Sequence, residues 1–466
     1  MKATRSELAL IFVLACLVYG GTTHRRVFVA GNDASRWAQI DSIVDHGRTD
    51  LGASRFRATV DRVRIDGKEY SNKPPALALA GAAIYAGLQA LVGWRLDGAG
   101  AGAVLWTVTF LLVGLPTALL VVAFRRATDR FPDTSQAGRR LLTLALGVGT
   151  LLFSFAGTFN NHSLPAALLF GAFLAALSGR AALSGAACGV AGAIDLLPGF
   201  GLAPFVLMAL PGRRVPRPAA ALRFAAGLGA GLVLMAASNL YVFGSPWPPK
   251  LVPGAVDLSA QAGPSLGGVV LPESWSYPLE ILLGGHGLFF VSPVLLVGAA
   301  GLVACARRRP VGERRAWIAL AVGLGGQWLG HALLAGSYGG WSYGYRYLLP
   351  IQALLLLPAA AHLSGARRAA LLALLPISTL FAALGAYHPW PPAYEQASHA
   401  DPVASLVTNP VGGNAAAWAA EHLPDSSLAR GLGERFVSAS AAERGRYFAL
   451  FFGSKGDLET MRRFAP

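Results

Sequence analysis

The sequence predicts an all-α fold, a polytopic membrane helical bundle of about eleven transmembrane helices with outer juxtamembrane helices and a small outer C-terminal tail. Three observations predict it. Of 466 residues, 54% are hydrophobic and 14% charged, with a mean hydropathy of +0.49, whereas a soluble domain carries about 25% charged residues. The apolar residues fall in blocks of about 15 to 25, the length that a hydrocarbon core of about 30 Å demands. The arginines stand between the blocks, at Arg125, Arg126, Arg130, Arg139 and Arg140, at Arg213, Arg214, Arg217 and Arg223, at Arg307, Arg308, Arg309, Arg314 and Arg315, and at Arg367 and Arg368. That is the pattern of short cytoplasmic loops, so the net charge of +15 belongs to topology and anionic headgroups, and nucleic-acid binding is excluded.

At the N-terminus, Lys2 and Arg5 precede an apolar run, and Val13-Leu14-Ala15-Cys16 approaches a lipoprotein cleavage box. The run continues through Tyr19 without a small-residue cleavage site, so Met1–Gly21 reads as an uncleaved first helix. The apolar blocks are Leu8–Gly21, Pro75–Trp94, Ala99–Phe124, Leu141–Phe159, Leu164–Gly179, Leu183–Leu196, Leu197–Leu210, Ala219–Phe243, Leu288–Cys305, Trp317–Ala335, Leu348–Leu363 and Ala369–Ala386. The blocks meeting at Asp195–Pro198 read as short helices joined by a tight turn.

With the N-terminus inside and every block crossing, the basic loop Arg125–Arg140 falls outside. Taking Pro75–Trp94 as a helix that enters and returns, or lies along the membrane, on the outer side makes every short arginine-rich loop cytoplasmic. This places a membrane domain at 1–386, whose first outer loop at 22–98 carries juxtamembrane helices, and an extracytoplasmic tail at 387–466. A second outer segment runs from Gly244 to Gly287. The reading is a multi-pass plasma-membrane protein with a cytoplasmic N-terminus and an extracytoplasmic C-terminus. The Ala, Gly and Arg bias points to a bacterial, GC-rich genome. Cys16, Cys188 and Cys305 lie in or beside apolar runs without metal-ligand spacing and read as small core residues.

Polar residues gather on one side of the bilayer. In Gly31-Asn32-Asp33-Ala34-Ser35-Arg36-Trp37, Asn32 or Asp33 suits a helix N-cap, and Trp37, Ile40 and Val44 form a short apolar stripe of an interfacial helix. Asp33 is either that cap or a working carboxylate. Lys73 precedes Pro74-Pro75 at the start of an apolar helix, level with lipid phosphates; the plain alternative is a snorkelling anchor. Asn160, Asn161 and His162 sit at an outer mouth, where they either face a cavity or satisfy their own turn. His286 lies among three glycines in Gly284-Gly285-His286-Gly287, ahead of Leu288–Pro293. The string Ser337-Tyr338-Gly339-Gly340-Trp341-Ser342-Tyr343-Gly344-Tyr345-Arg346-Tyr347-Leu348-Leu349-Pro350 places one guanidinium among aromatics at headgroup depth, which suits bidentate capture of a phosphate.

These strings, in this order, resemble the polytopic glycosyltransferases of the C type, the protein O-mannosyltransferase and aminoarabinose-transferase group that uses polyprenyl-phosphate sugars. Asp33, Lys73-Pro74-Pro75 and Arg346-Tyr347-Leu348-Leu349-Pro350 carry the resemblance, which covers about residues 8 to 386. It implies transfer of a sugar from a polyprenyl-phosphate donor to a glycan, lipid or protein acceptor, with membrane lipids as surroundings. Asp33 is the implied catalytic base, and Lys73, Asn160, Asn161, His162, His286, Trp341, Tyr345 and Arg346 are the implied substrate-binding residues. The sequence departs from the group in three places. Ala34 follows Asp33 where the group has a second acid, Asn72 precedes Lys73 where an acid is common, and Asn160 or Asn161 stands where a carboxylate is common. No cofactor is expected, a divalent metal is left open, and Asp33 carries the base role alone.

One carboxylate suffices chemically, because a lipid phosphate leaves well if positive charge receives it. Such a displacement inverts the anomeric carbon. The alternatives are a lipid-linked-sugar transporter or flippase and a non-catalytic scaffold of the same fold. A transporter calls for repeats and midplane charges; the sequence shows no repeat, and Asp195, the best intramembrane charge, reads as a helix end.

Overall fold

The computed structural model describes residues 2–28, 32–59, 61–212, 217–258, 265–266, 269–270, 276–308, 311–334, 341–361, 363–392 and 409–454. Gly31, Arg213, Arg214, Arg309, the Ser337–Gly340 part of the aromatic string and the tail residues 393–408 and 455–466 lie outside them.

The protein is a helical membrane bundle. Helix α1 (Arg5–Thr22) opens on Thr4, whose Oγ1 accepts the Glu7 N–H at 3.1 Å. Helix α2 (Asn32–His46) is followed by a hairpin of β1 (Arg62–Ile65) and β2 (Lys68–Ser71), and then by α3 (Ala76–Val92). Helices α4 (Ala101–Thr109) and α5 (Leu115–Ala127) run through a π-turn at Phe110–Gly114. Next come α6 (Gln136–Val148), α7 (Leu151–Ala156), α8 (Ser163–Leu177), α9 (Ala181–Ile194), α10 (Leu196–Met208) and α11 (Pro218–Phe243). A short strand β3 (Val256–Asp257) precedes α12 (Tyr277–Leu283), α13 (Leu288–Val291), α14 (Leu295–Arg308) and α15 (Val311–Leu334). Helices α16 (Gln352–Leu356) and α17 (Gly365–Tyr387) end the membrane part, and α18 (Pro410–His422), α19 (Ser427–Phe436) and α20 (Ala441–Ser454) form the tail.

Among the described residues, four helices are long and apolar enough to cross a bilayer alone, and a bent pair makes a fifth; five further apolar helices have 10–17 residues. By length alone this is fewer than the eleven crossings read from the apolar blocks, because several blocks are broken. Leu141–Phe159 splits at Gly149–Thr150 into α6 and α7. Leu288–Cys305 splits at Ser292–Pro293, where the chain turns by 105°. Leu348–Leu363 becomes α16 between 3₁₀ segments Arg346–Ile351 and Leu357–Ala361, each containing a proline. Proline removes a helix N–H and crowds the preceding turn, which converts a uniform apolar block into short pieces. Broken backbone is tolerated at membrane depth only where protein covers it, and Leu348–Ala361 is almost wholly buried. At Asp195 the two short helices do meet, with a single residue between them.

Several of the arginines between blocks do more than set topology. Arg125 is fully buried, with Glu7 at 3.1 Å and Asp129 at 2.9 Å, and Arg139 and Arg140 join the same pair of carboxylates at 3.1 and 2.9 Å. This network locks the start of α1 to the turn between α5 and α6.

At the opposite end, the long loops come together. Strand β1 pairs with β2 and, through Val63↔Asp257, with β3, so the first and second loop segments share a three-stranded antiparallel sheet. This small sheet is a local departure from the all-α expectation. The tail docks on the same end: Asn414 donates to the carbonyls of Leu384 and His388 at 2.7 and 2.9 Å, and the His24 ring bonds the Ala386 carbonyl at 3.0 Å. Its own small core of Ala416, Ala417, Phe448, Phe451 and Phe452 closes over Tyr387.

Helices α9 and α11 cross on glycines. A Cβ on Gly231 would lie 2.0 Å from Gly189 backbone, and one on Gly227 would lie 2.1 Å from the Ala182 carbonyl. Small residues four apart let two backbones touch where lipid offers no hydrophobic drive for association. Replacing Gly231 by leucine forces the pair apart and is expected to cost about 1–3 kcal/mol or more. Thermal unfolding in detergent should show a clear drop for Gly231→Leu and little change for Gly229→Leu, whose Cβ position is open.

Candidate active site

Helix α2 is held rigidly before any chemistry is considered. Trp37 and Ile40 are buried, and Trp37 packs on Phe159 with ring centres 5.2 Å apart. Gly81 of α3 receives Ile40, whose Cδ1 would lie 2.7 Å from any Cβ placed there. Farther along, Asp41 binds Arg55 at 2.8 Å, and Tyr85 and Gln89 of α3 donate to Asp45 at 2.9 and 3.1 Å. The interfacial stripe is thus a packing face, and it aims the first turn of α2 inward.

That turn carries Asp33 and Arg36. Asp33 is 2% exposed and accepts the N–H groups of Phe28 at 3.3 Å and Ala34 at 3.0 Å. Burial pushes its carboxyl up to about 7, against the main-chain N–H groups and the field of Arg36. Asp33 therefore sits near neutrality, as a proton acceptor should. Arg36, one turn on, is fully buried and donates from Nη2 to Asn161 Oδ1 at 2.7 Å. Its burial lowers the guanidinium to about 10, with Asp61 acting in the opposite direction.

The hairpin supplies the next pair. Its register sets Arg62 against Ser71, so the residues just outside the ladder, Asp61 and Asn72, face one another, and Asn72 N–H bonds the Asp61 carbonyl at 3.3 Å. Lys73 follows directly and places its Nζ 2.9 Å from Asp61 Oδ1. Ser35 ties the hairpin to α2, donating to the Asp61 carbonyl at 2.7 Å and sharing a 2.6 Å bond with the Ser71 hydroxyl. Lys73 is therefore an ion-paired residue and not a snorkelling anchor. Burial lowers it to about 8, while Asp61, whose own carboxyl Lys73, Arg346 and Arg36 hold low against burial, supports its charge.

Arg346 comes from the far end of the sequence to the same place. Tyr345 N–H bonds the His286 carbonyl at 2.7 Å, and Gly344 at φ +72° is wedged against Val291 and Leu151. A side chain at Gly344 would meet both that φ and those neighbours. The Arg346 guanidinium lies between Tyr347 and Trp390, 5.2 and 4.9 Å from their ring centres, and Nη1 reaches the Trp341 carbonyl at 3.5 Å. Among the described residues it has no carboxylate in ion-pair contact, although it is 4% exposed. It is still close enough to Asp61, Lys73 and Arg36 to lower their proton affinity.

The remaining candidates divide. Asn161 holds Arg36, and His162 Nδ1 bonds Asp195 Oδ2 at 2.7 Å. Asn160 is instead spent on its own turn: its amide donates to Phe155 and Thr158 carbonyls at 2.8 Å each, and its Oδ1 accepts from His162 and Ser163. Tyr345 is a core residue, its hydroxyl bonded to Tyr277 at 3.1 Å and to the His331 carbonyl at 3.4 Å. Trp341 contributes its carbonyl, and His286 its carbonyl behind the Arg346 turn. Asn160 and Tyr345 thus depart from the substrate-binding expectation, because their polar atoms are already paired.

Sequence reasoning passed over Arg36, Asp61 and Trp390. The available signal for Asp61 was Asp66-Gly67, a turn pair with φ 48° and 76° that marks a two-residue hairpin and so brings the residues flanking it together. Arg36 stood one helical turn from Asp33. Trp390 carried no local signal. Among the described residues no three His, Cys, Asp or Glu side chains gather as metal ligands, and Asp61, bound to Lys73, is a poor ligand for a cation.

No family model matches the chain, and no curated protein matches it in sequence. Its fold is similar to two crystal structures of ArnT from Cupriavidus metallidurans. The one bound to undecaprenyl phosphate has a TM-score of 0.50 at 16% identity, covering 99% of this chain and 77% of that one. The apo one has a TM-score of 0.52 at 16% identity, covering 98% and 77%. A cryo-EM structure of the mycobacterial arabinofuranosyltransferase AftD is similar at a TM-score of 0.47 and 17% identity over 83% of this chain and 27% of that one. The charged loop face and its helical scaffold are thus carried on the polytopic C-type glycosyltransferase fold.

Proposed function

We propose that the chain is an integral membrane glycosyltransferase that moves a sugar from a polyprenyl-phosphate donor to a hydroxyl of a cell-envelope acceptor. In this reading the loop face is extracytoplasmic, the N-terminus cytoplasmic, and the membrane a bacterial plasma membrane. The observation that carries it is the setting of Arg346. A buried guanidinium held by two aromatic faces and one carbonyl, without a carboxylate in contact among the described residues, is suited to receive an anion from outside the protein. Lys73 and Arg36 add positive charge beside it, and Asp33 supplies a proton acceptor near neutrality. The ArnT structure holding undecaprenyl phosphate supports a lipid phosphate as that anion.

The chemistry then balances with this chain's own groups. The acceptor oxygen attacks the anomeric carbon as the bond from that carbon to the phosphate oxygen breaks. The electron pair stays on the phosphate, where Arg346 and Lys73 receive the charge. The acceptor proton passes to Asp33. Attack opposite the leaving phosphate inverts the sugar carbon. Asp61 keeps Lys73 charged and in place, and its ion pair makes Asp33 the better base. A flippase would instead need polar groups at successive depths, whereas the residues of this site gather at the loop face.

Two measurements test this. Membranes supplied with a labelled polyprenyl-phosphate sugar should transfer it, and Asp33→Asn should lower the rate by about 10²–10⁴-fold at normal expression. In the wild type, kcat/KM should rise with pH through about 7, as Asp33 loses its proton, and fall above about 8, as Lys73 loses its charge. Full activity in Asp33→Asn, or a flat profile from pH 5 to 9, removes Asp33 from the base role; inert wild-type membranes favour the scaffold. Separately, Arg346→Gln should lower kcat by about 10²–10³-fold and weaken binding of undecaprenyl phosphate, while the α2–α3 contacts and thermal stability stay near wild type.

A further inference from the structure

His162 and Asp195 form a pair that the transfer chemistry above does not use. Asp195 is the single residue between α9 and α10, and its place is fixed by backbone: its N–H bonds Ala191 at 2.7 Å, its carbonyl accepts Gly199 at 3.2 Å, and a Cβ on Gly199 would lie 2.0 Å from Gly192. It sends Oδ2 to His162 Nδ1 at 2.7 Å. A carboxylate only accepts, so Nδ1 carries the hydrogen and the lone pair is left on Nε2. Burial, with Arg346 and Arg36 nearby, also lowers the proton affinity of this imidazole, although Asp195 opposes that. The ring is a neutral, oriented hydrogen-bond acceptor.

His162 is 2% exposed, and among the described residues its Nε2 is buried without a partner. Buried polar atoms in folded proteins are almost always paired, and an acceptor left alone is destabilising. Asn160 shows how thoroughly this loop otherwise satisfies itself, with both ends of its amide bonded. The orphan also has a definite neighbour. The edge of the His162 ring meets Tyr347 with centres 5.7 Å apart and planes at 86°, and Tyr347 is the same ring that the Arg346 guanidinium overlies at 5.2 Å. Tyr347 is therefore a wall common to His162 and Arg346. A sugar attached to a phosphate at Arg346 would lie against that wall, where its hydroxyls can donate to an acceptor at hydrogen-bond distance.

We infer that His162, oriented by Asp195, accepts a hydrogen bond from a sugar hydroxyl and so fixes which sugar, and in what pose, reaches Asp33. The inference rests on the transferase reading and adds a specificity residue to it. The hydroxyl belongs to the donor sugar or to a sugar acceptor. Both present the same chemistry, and a site built to pair a hydroxyl rejects an analogue lacking it far more strongly than an apolar pocket does.

The test uses two substitutions that separate the two ring nitrogens. His162→Asn keeps an N–H near the Nδ1 position for Asp195 and removes the Nε2 acceptor, whereas His162→Gln keeps an acceptor near Nε2. The full-length protein in detergent or nanodiscs is titrated with undecaprenyl phosphate and with undecaprenyl-phosphate mannose, and transfer is measured in membranes. We expect His162→Asn to bind sugar-free undecaprenyl phosphate like the wild type and to bind the sugar-bearing donor about ten- to a hundredfold more weakly, with His162→Gln recovering part of the loss. A loss confined to the KM for the acceptor instead assigns the hydroxyl to the acceptor. If His162→Asn weakens both lipids equally, or changes neither binding nor either KM, His162 is only structural and the inference falls. If the wild type fails to bind undecaprenyl phosphate, the transferase reading falls first and takes this one with it.

Discussion

Two buried arginines, Arg36 and Arg346, and the partly buried Lys73 share one small region at the loop face, and the repulsion among them is the constraint around which the rest is arranged. Arg346 lowers the proton affinity of Arg36, and both arginines lower that of Lys73. Taking such charges out of water is expensive unless each is compensated. The protein compensates locally: Asp61 for Lys73, Asn161 for Arg36, and aromatic faces with a carbonyl for Arg346. Arg346 receives the weakest of these, since a carbonyl at 3.5 Å and two π faces do not cancel a full charge. In the proposed reaction the incoming phosphodiester, a monoanion, would offset part of this charge, and the phosphate monoester left after transfer would offset more. The same electrostatic argument explains why Asp33 is close to neutral while Asp61 is not. Asp33 is buried and Asp61 partly buried, but Asp61 touches an ammonium group, whereas among the described residues Asp33 meets main-chain N–H groups and the field of a guanidinium one turn away.

The scaffold answers that constraint with broken helices. A continuous span could not present Arg346, His162 and Asp195 at one level, because helical side chains recur along an axis while this site needs them to converge. Pro350 and the 3₁₀ turn at Arg346–Ile351, the single-residue joint at Asp195, and the capped loop before α8 each stop a helix where a polar group is required. Every interruption exposes unpaired backbone, which the fold covers with close glycine crossings such as Gly301 against Ala359 and Gly199 against Gly192. Function and packing are therefore coupled: the glycines that look like dispensable filler in an apolar block are what permit the breaks that build the site.

This coupling also explains what the sequence made legible. Apolar blocks and arginine spacing announced a membrane bundle, because both report transfer energies that act on single segments. Asp33, Lys73, Asn161, His162 and Arg346 were legible as polar residues at block ends, and the structure brings them to one face. The pairings were not legible, since Lys73–Asp61 depends on hairpin register and Arg36–Asn161 spans 125 positions. Asn160 and Asn161 show the difference most sharply. They are neighbours of identical type, and only the direction of the chain at the α8 cap makes one a turn residue and the other a partner of Arg36. The break between α13 and α14 was hidden for a related reason: hydropathy averages over Pro293, whereas the backbone turns there.

The departures from the C-type pattern acquire a physical meaning in this setting. Where an acid would precede Lys73, Asn72 stands, and its amide lies 3.5 Å from both Asp61 and Asp257. Asp61 itself sits directly across the hairpin, so the negative charge absent at position 72 is supplied from the opposite strand. At the loop before α8, the expected carboxylate is replaced by Asn161, which pairs Arg36 without neutralising it, and one residue later by His162, which reaches Asp195 on another helix. Charge has thus been moved from the loop to its surroundings. The net effect keeps Arg36 cationic and leaves the loop itself neutral, so in the proposed reaction a lipid phosphate arriving at Arg346 would meet attraction from three cations and no adjacent carboxylate on the α8 loop.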